Sequence, residues 1–439
     1  MLTSYINNEY FIIILSSNRF VFSSEPVTPT WFADRMSDLG PFLTDNPNFP
    51  PIAIAVSGGG DSLCLAWLAR TWRVNILALV VDHGIRTEST QEAFWTIARL
   101  REMNIPSRLL TLTNLPNGPG LAARARYARY AILTRACREE GCIDLLLGHQ
   151  ADDQAETAYM REISGSRSNG LAAMGYISIM SDIRIIRPLL DVSRQALRNT
   201  LKKVGLNWID DPSNKNQQAQ RVRIRYTLRK LNLRDYYWKL AMHAGELRTY
   251  QAKTSAKTLA QTVSLLPFGW ARLGKDLPEP YILTSLIRSI SGSPYPPPLN
   301  AVTQLYTSQR EATLWGTRLL LWQKNWYLIR EQAAIDHSIS AYSCSIWDNR
   351  FKLIFPFTNL KKISISACGF GLPRHLRKGW PALFCATLPA LWHNGRRVAV
   401  PHLDLAEPQW KNISIFFHPP IPLTGETLYA DTQQQSYFC

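Results

Sequence analysis

Ser57-Gly58-Gly59-Gly60-Asp61-Ser62 is the stretch of this chain best suited to holding a phosphate. Glycines let a backbone turn sharply and approach an anion, and the N–H groups that open a following helix then point at it with the helix dipole behind them. No Lys stands beside the serine to reach β- and γ-phosphates, so this is not a Walker A loop, and the spacing G-x-G-x-x-G is not met. An Asp inside a phosphate loop repels its ligand unless a divalent cation lies between them, so Asp61 implies Mg²⁺. A second constellation is His149 followed by Asp152, Asp153 and Glu156. Asp152 and Glu156 share a helical face, with Asp153 beside them. One acid in a first helical turn merely suits the dipole. Clustered carboxylates next to a histidine need a cation, so the group reads as a metal or amine site. His83 directly follows an apolar run. Arg124, with Arg126 and Arg129 behind it, reads either as part of a solvated basic face or as a contact to phosphate or carboxylate.

These residues need a frame. Residues 52–56 are short, apolar and β-branched, and residues 63–70 read as a buried helix. Residues 76–81 predict a second buried strand that ends at Asp82 and His83. Residues 88–103 predict a helix, 107–112 a third strand, and 122–130 the start of another helix. Residues 144–148 predict a fourth strand running into His149. Polar residues at the carboxyl ends of parallel strands lie where open α/β sheets take ligands. A helix over 30–43 precedes the sheet. Residues 185–190 read as an edge strand or its exit because of Pro188. Ser193 should cap a helix reaching about Val204. A turn at 210–214 leads to Arg221, Arg223 and Arg225, whose alternation suits a nucleic-acid backbone or local salt bridges. Residues 236–310 look helical, with a break at 291–298, which is rich in Pro and Ser. Beyond 340 the chain carries short alternating segments, and a small β-containing domain is expected.

The chain has 439 residues, enough for two or three domains with their own cores. Lys+Arg is 49 against Asp+Glu 33, for a formal charge of +16. That excess points to a polyanionic partner, with nucleic acid first. The 7 cysteines include no Cys-x-x-Cys pair, which excludes a zinc framework and fits a reducing, cytoplasmic setting. The apolar run at 10–15 is too short to span a bilayer and lacks the basic residues of a signal peptide, so no membrane role is expected.

The hexapeptide at 57–62 resembles the PP-loop of the N-type ATP pyrophosphatases. Taken together, segments 57–62, 81–86, 123–130, 147–157, 170–174, 187–190 and 211–214 occur in the order found in the tRNA(Ile)-lysidine synthetase family. Weaker matches follow at 313–331, 388–392 and 397–401. Gln150 stands where the family usually has a second histidine, the loop at 162–166 is altered, and the tail near Cys368 lacks a glycine- and acid-rich motif.

The resemblance implies an α/β fold: a parallel-sheet, Rossmann-like PP-loop ATPase domain over 31–235. A helical tRNA-binding middle domain over 236–340 and a small β-containing tRNA-binding domain over 341–439 follow, with 1–30 as an extension. It implies adenylation of C2–O of the wobble cytidine of a tRNA(Ile) with a CAU anticodon, then displacement of AMP by free L-lysine. ATP and Mg²⁺ are the implied cofactors. Ser57, Gly58, Gly59, Gly60, Asp61 and Ser62 would hold the pyrophosphate end of ATP, and Asp61 and Asp152 would serve the metal. Arg124 would steady phosphate charge. Asp152, Asp153 and Glu156 would bind Mg²⁺ or the lysine ammonium, with that division left open. His83 and His149 would position substrates. A homodimer is compatible with this reading.

A 2-thiocytidine synthetase is the alternative from the same superfamily, but it needs Cys-x-x-Cys pairs. An NAD or GMP synthetase gives no reason for the basic, aromatic tail. A catalytically silent RNA-binding protein is the rival from another class, and ATP–pyrophosphate exchange would exclude it.

Overall fold

The computed structural model describes residues 22–84, 87–112, 118, 121–166, 168–180, 183–210, 220–335, 337–354, 363–419, 421, 423–424 and 427–428. Arg86 and the turn at 211–214 lie outside these residues, as do residues 1–21. The chain divides into two compact units, residues 1–250 with 427–439, and residues 251–426.

The first unit is built on a mostly parallel sheet. Its strands are β1 (Ile52–Val56), β2 (Ile76–Asp82), β3 (Ser107–Thr111), β4 (Asp144–Leu146), β5 (Ile177–Ile179) and β6 (Arg184–Ile186). Across the sheet they run β5-β6-β4-β1-β2-β3, with Thr427–Leu428 added antiparallel outside β5. The helices are α1 (Pro29–Leu39), α2 (Gly60–Trp72), α3 (Thr87–Glu102), α4 (Leu121–Glu139), α5 (Ala151–Ile163), α6 (Ser168–Leu171), α7 (Arg194–Lys203), α8 (Gln220–Lys230) and α9 (Arg234–Thr262). The β-branched strands are buried on both faces. Ile52, Ile54 and Val56 pack with α1, α2 and α7, while Ala53 joins Ile132, Leu133 and Ala136 of α4 in a second cluster. This double cover is what a parallel sheet requires.

Chain order along the sheet reverses next to β1. β2 and β3 lie to one side of it, and β4 and β6 to the other. The crevice between β1 and β4 is therefore a topological switch point, the place where such sheets bind ligands.

Several expectations need correction. β6 is an interior strand, paired parallel to β4 and antiparallel to β5; Pro188 follows the strand instead of marking an edge. Residues 22–30, expected as part of an N-terminal extension, are tied to the first unit. Val27 N–H donates to Thr200 Oγ1 at 2.8 Å and Asn199 Nδ2 donates to the Ser24 carbonyl at 2.7 Å, so the segment is hydrogen-bonded onto α7. Arg221, Arg223 and Arg225 alternate in sequence but belong to helix α8.

In the second unit, residues 264–330 are not all helical. Strands β7 (Ser264–Leu266), β8 (Trp270–Gly274), β9 (Ala312–Leu314), β10 (Thr317–Trp322) and β11 (Asn325–Arg330) form an antiparallel sheet in the order β7-β8-β11-β10-β9. The hairpin expected near 313–331 is this β9-β10-β11 meander. Helices α10 (Pro280–Ser291) and α11 (Leu299–Ser308) pack on the sheet, and Leu283, Leu286, Val302 and Leu305 share its core. The segment 291–298 thus joins two helices of one core and is not a domain break. Strands β12 (Ile339–Ser340), β13 (Ile346–Trp347), β14 (Phe351–Ile354), β15 (Ile363–Ala367), β16 (Pro389–His393), β17 (Arg396–Val400), β18 (Leu405–Ala406) and β19 (Ser414–Phe417) make two further antiparallel sheets, with the short helix α12 (Ala382–Ala386) between β15 and β16. Asp348 is buried between Arg330 and Arg350, accepting from Arg330 Nη2 at 3.0 Å and from Arg350 Nε at 2.7 Å.

Candidate active site

The glycine loop bridges β1 and α2. Gly59 is the N-cap of α2 and no side chain caps the helix. The first N–H groups of a helix have no partner within it, so an anion finds donors there. Gly58 has φ +82°, and a Cβ at this position would lie 2.3 Å from Thr96 Oγ1, so both the turn and the close approach require glycine. Ser62 Oγ accepts from the Ser57 N–H at 3.1 Å and donates to the Gly59 carbonyl at 3.0 Å. Ser62 therefore shapes the loop from inside. Ile209 N–H donates to the Gly58 carbonyl at 3.0 Å, which fastens the segment after α7 over the loop.

Three adjacent strands, β4, β1 and β2, end side by side. Beyond them lies a cavity of about 310 Å³ lined by the glycine loop, His83, His149, Arg129, Arg194, Arg198 and Arg225 among others. Gly148 sits close against the first turn of α2: a Cβ there would lie 3.1 Å from both the Asp61 carbonyl oxygen and Ser62 Cα.

Both histidines are held neutral. Burial lowers the His149 pKa well below its usual value, reinforced by Arg187, Arg126 and Arg129. Burial and Arg129 also lower that of His83. Each has a buried Nδ1 without a hydrogen-bond partner among the described residues. Buried polar atoms are normally satisfied, and these two orphans belong to residues that line one cavity. Asp61 is pushed the other way: burial raises its pKa to about 6, although Arg194 pulls it down.

The acids that follow His149 have their cation inside the chain. Arg194 Nε lies 3.4 Å from Asp61 Oδ2, and its Nη2 lies 3.3 Å from Asp153 Oδ1. Glu156 takes Arg225 through contacts of 2.6 and 3.4 Å. Asp152, 2% exposed, accepts from Arg234 Nη1 at 3.1 Å and from the Arg194 backbone N–H at 3.2 Å. Asp152 does not line the cavity, and with both oxygens engaged it anchors α7 and α9. Asp153 and Glu156 also stand behind the cavity wall, one arginine away from it. Asp153 Oδ2 further closes the α5 capping box by accepting from the Gln150 N–H at 3.3 Å.

Arg124 does not reach the cavity either. Its Nη2 donates to the Gly118 carbonyl at 3.2 Å, and it is Arg129, on the same helix, that lines the site. Sequence reasoning missed Arg129, Arg194 and Arg198. Arg194 and Arg198 are one helical turn apart directly after the Ser193 cap, a spacing that places both on one face. No group of three or more metal-ligating side chains occurs among the described residues. Of the cysteines described, Cys64, Cys137, Cys142, Cys368 and Cys385 are buried, Cys344 is exposed, and none lines the cavity.

A glycine loop at the switch point of a doubly covered parallel sheet defines a PP-loop ATP-binding protein, and residues 36–231 match the family model described as PP-loop domain. A tRNA(Ile)-lysidine synthase from Ruegeria pomeroyi is 30% identical over 380 residues, covering 81% of this chain and 90% of that one. One from Bradyrhizobium sp. strain BTAi1 is 39% identical over 180 residues, covering 40% of this chain and 50% of that one. The chain belongs to the tRNA(Ile)-lysidine synthase family.

Proposed function

We propose that this chain joins free lysine to C2 of the wobble cytidine in a tRNA(Ile) with a CAU anticodon, consuming ATP and yielding lysidine, AMP and pyrophosphate. The family supplies the tRNA and the product. The observation that carries the reading onto these residues is one cavity where the uncapped start of α2, His83, His149 and four arginines converge.

The chemistry divides into two displacements. The cytidine O2 attacks the α-phosphorus of ATP, the P–O bond to pyrophosphate breaks, and C2 then carries AMP as its leaving group. The lysine amine attacks C2 and the C–O bond to AMP breaks. The backbone N–H groups of residues 60–62 would hold the pyrophosphate. Asp61 fits Mg²⁺, which is commonly held by one or two carboxylates plus substrate phosphates; the ion would neutralise phosphate charge. Arg129 and Arg194 face the same charge. The lysine amine must be neutral to attack, and the imidazoles of His83 and His149, whose pKa burial lowers, would position it without adding positive charge beside it. Asp153 and Glu156 are paired with Arg194 and Arg225 and would act by holding those guanidiniums at the cavity wall.

For tRNA, the +16 charge supports broad phosphate contact. The exposed arginines of α8 next to the cavity and the unit over 251–426 are the surfaces proposed for it. No helix among the described residues is long and apolar enough to cross a membrane, and a cytoplasmic setting fits a tRNA substrate.

Labelled lysine, ATP, Mg²⁺ and in-vitro transcribed tRNA(Ile)-CAU provide the test, with wild type set against Asp61→Ala. Label in the tRNA that disappears in the variant supports the reading. ATP consumed on another tRNA with no lysine label overturns the lysidine assignment and leaves the fold in place.

A further inference from the structure

From Asn349 to Leu403 the sequence contains no Asp or Glu, while it contains 9 Lys or Arg. Inside this acid-free stretch, one short loop is built to present a single aromatic ring. Cys368 N–H donates to the Leu388 carbonyl at 2.7 Å and Gly369 N–H to the Ala386 carbonyl at 3.1 Å, which pins the loop's start. Leu372, buried in the aromatic core with Phe384 and Trp270, pins its end. Between these anchors Phe370 is 59% exposed.

The flanking glycines explain how. Gly369 has φ +69° and Gly371 has φ +96°, and a Cβ at either would meet nothing within 4 Å. They are needed for backbone direction, not for room. The loop projects, and the chain holds a ring out of its core where Phe ordinarily packs inward. The following 3-10 turn, Arg374–Arg377, adds Arg374, His375 and Arg377, and Lys378 comes next. Arg377 Nε donates to the Leu372 carbonyl at 2.7 Å, which ties the basic turn to the loop's base.

We propose that Phe370 is a stacking contact for an unpaired base of the bound tRNA, with Arg374 and its neighbours on the adjoining phosphates. This rests on the tRNA reading above. An exposed ring followed by Arg374, Arg377 and Lys378, the last of them ion-paired with Asp404, suits a single-stranded nucleic-acid site, where the base stacks and cations track the backbone. A protein partner would be met by an apolar patch, and one ring set in basic surroundings is not that.

The test uses the full-length protein and tRNA(Ile)-CAU transcript, by filter binding across a salt series, with lysine incorporation measured in parallel. Phe370→Ala should weaken tRNA binding about tenfold to a hundredfold, with an unchanged salt slope. Phe370→Trp should retain wild-type affinity, and Phe370→Leu should behave like alanine, since it keeps apolar bulk and loses the π-face. Arg374→Ala should lower the salt slope by about one. The KM for tRNA should rise in Phe370→Ala while kcat changes little. Wild-type labelling together with Phe370→Ala or Phe370→Leu binding within twofold of wild type overturns the stacking role alone. Wild type that neither binds nor labels the tRNA overturns the function reading, and this inference with it.

Discussion

Arg194 Nε lies 3.4 Å from Asp61 Oδ2, so a guanidinium already stands at the acid of the phosphate loop. The same side chain holds Asp153, and its backbone N–H is held by Asp152. One arginine therefore connects the loop after β1 with the first turn of α5.

That pairing predicts a pH dependence. Burial raises the Asp61 pKa to about 6 and Arg194 opposes the rise. If the carboxylate is the form that serves the metal, tRNA-dependent ATP–pyrophosphate exchange should climb as pH rises through about 6. Arg194→Gln should move that midpoint upward by roughly one unit or more. Exchange rates between pH 5 and 8 decide it; a midpoint that stays put would show that Arg194 does not set the charge of Asp61.

Stability should follow the same group with the opposite consequence. A carboxyl whose folded pKa lies above its unfolded value binds its proton more tightly in the folded state, so its contribution falls as pH rises between about 4 and 6. Asp61→Asn removes this penalty. The variant should match wild type near pH 4 and exceed it above pH 6, by on the order of 1 kcal/mol, as read by urea denaturation at each pH.

Gly58→Ala should be among the most damaging changes in the loop. It adds strain at φ +82° and a 2.3 Å approach to Thr96 Oγ1, itself fully buried and donating to the Glu92 carbonyl. A loss of about 1–3 kcal/mol is expected, with ATP affinity reduced. Gly58→Ala with Thr96→Ala relieves the contact and leaves the strained φ, so it should recover stability only in part.

Arg129 and Arg124 separate two readings of one basic helix. Arg129→Ala should cut lysine incorporation about tenfold to a hundredfold or more, on the scale of removing one electrostatic contact to a transition state. Arg124→Ala should leave it within about threefold, since its side chain turns to the Gly118 carbonyl. Equal effects would mean that the cavity wall is not formed by the face described.

In the second unit, Asp348→Asn should cost about 3–5 kcal/mol, the scale of breaking a buried ion pair while its partners stay behind. Arg330 and Arg350 both rely on that carboxylate. Thermal or urea unfolding of the full chain checks it.

The strand, glycine turn and helix around Ser57–Ser62 were legible because each relies on neighbours in sequence. So were His83 and His149 at strand ends, and the Ser193 cap, whose Oγ accepts from the Ala196 N–H. What failed to show in the sequence was pairing over distance. The acids at 152–156 demanded a cation, but their cations come from Arg194, Arg225 and Arg234, far along the chain. Arg129 was hidden among Arg124 and Arg126 because composition alone cannot tell which helical face meets the sheet. The antiparallel sheet over 264–330 was masked by the amphipathic helices interleaved with it.

Gly148 carries a consequence for anyone who wishes to re-engineer the site. The turn after β4 meets the main chain of the first turn of α2 there, with no side chain left to trim. Neither loop is an independent module. A graft that imports one phosphate loop, or one histidine turn, from a distant relative will seat properly only when its partner loop travels with it.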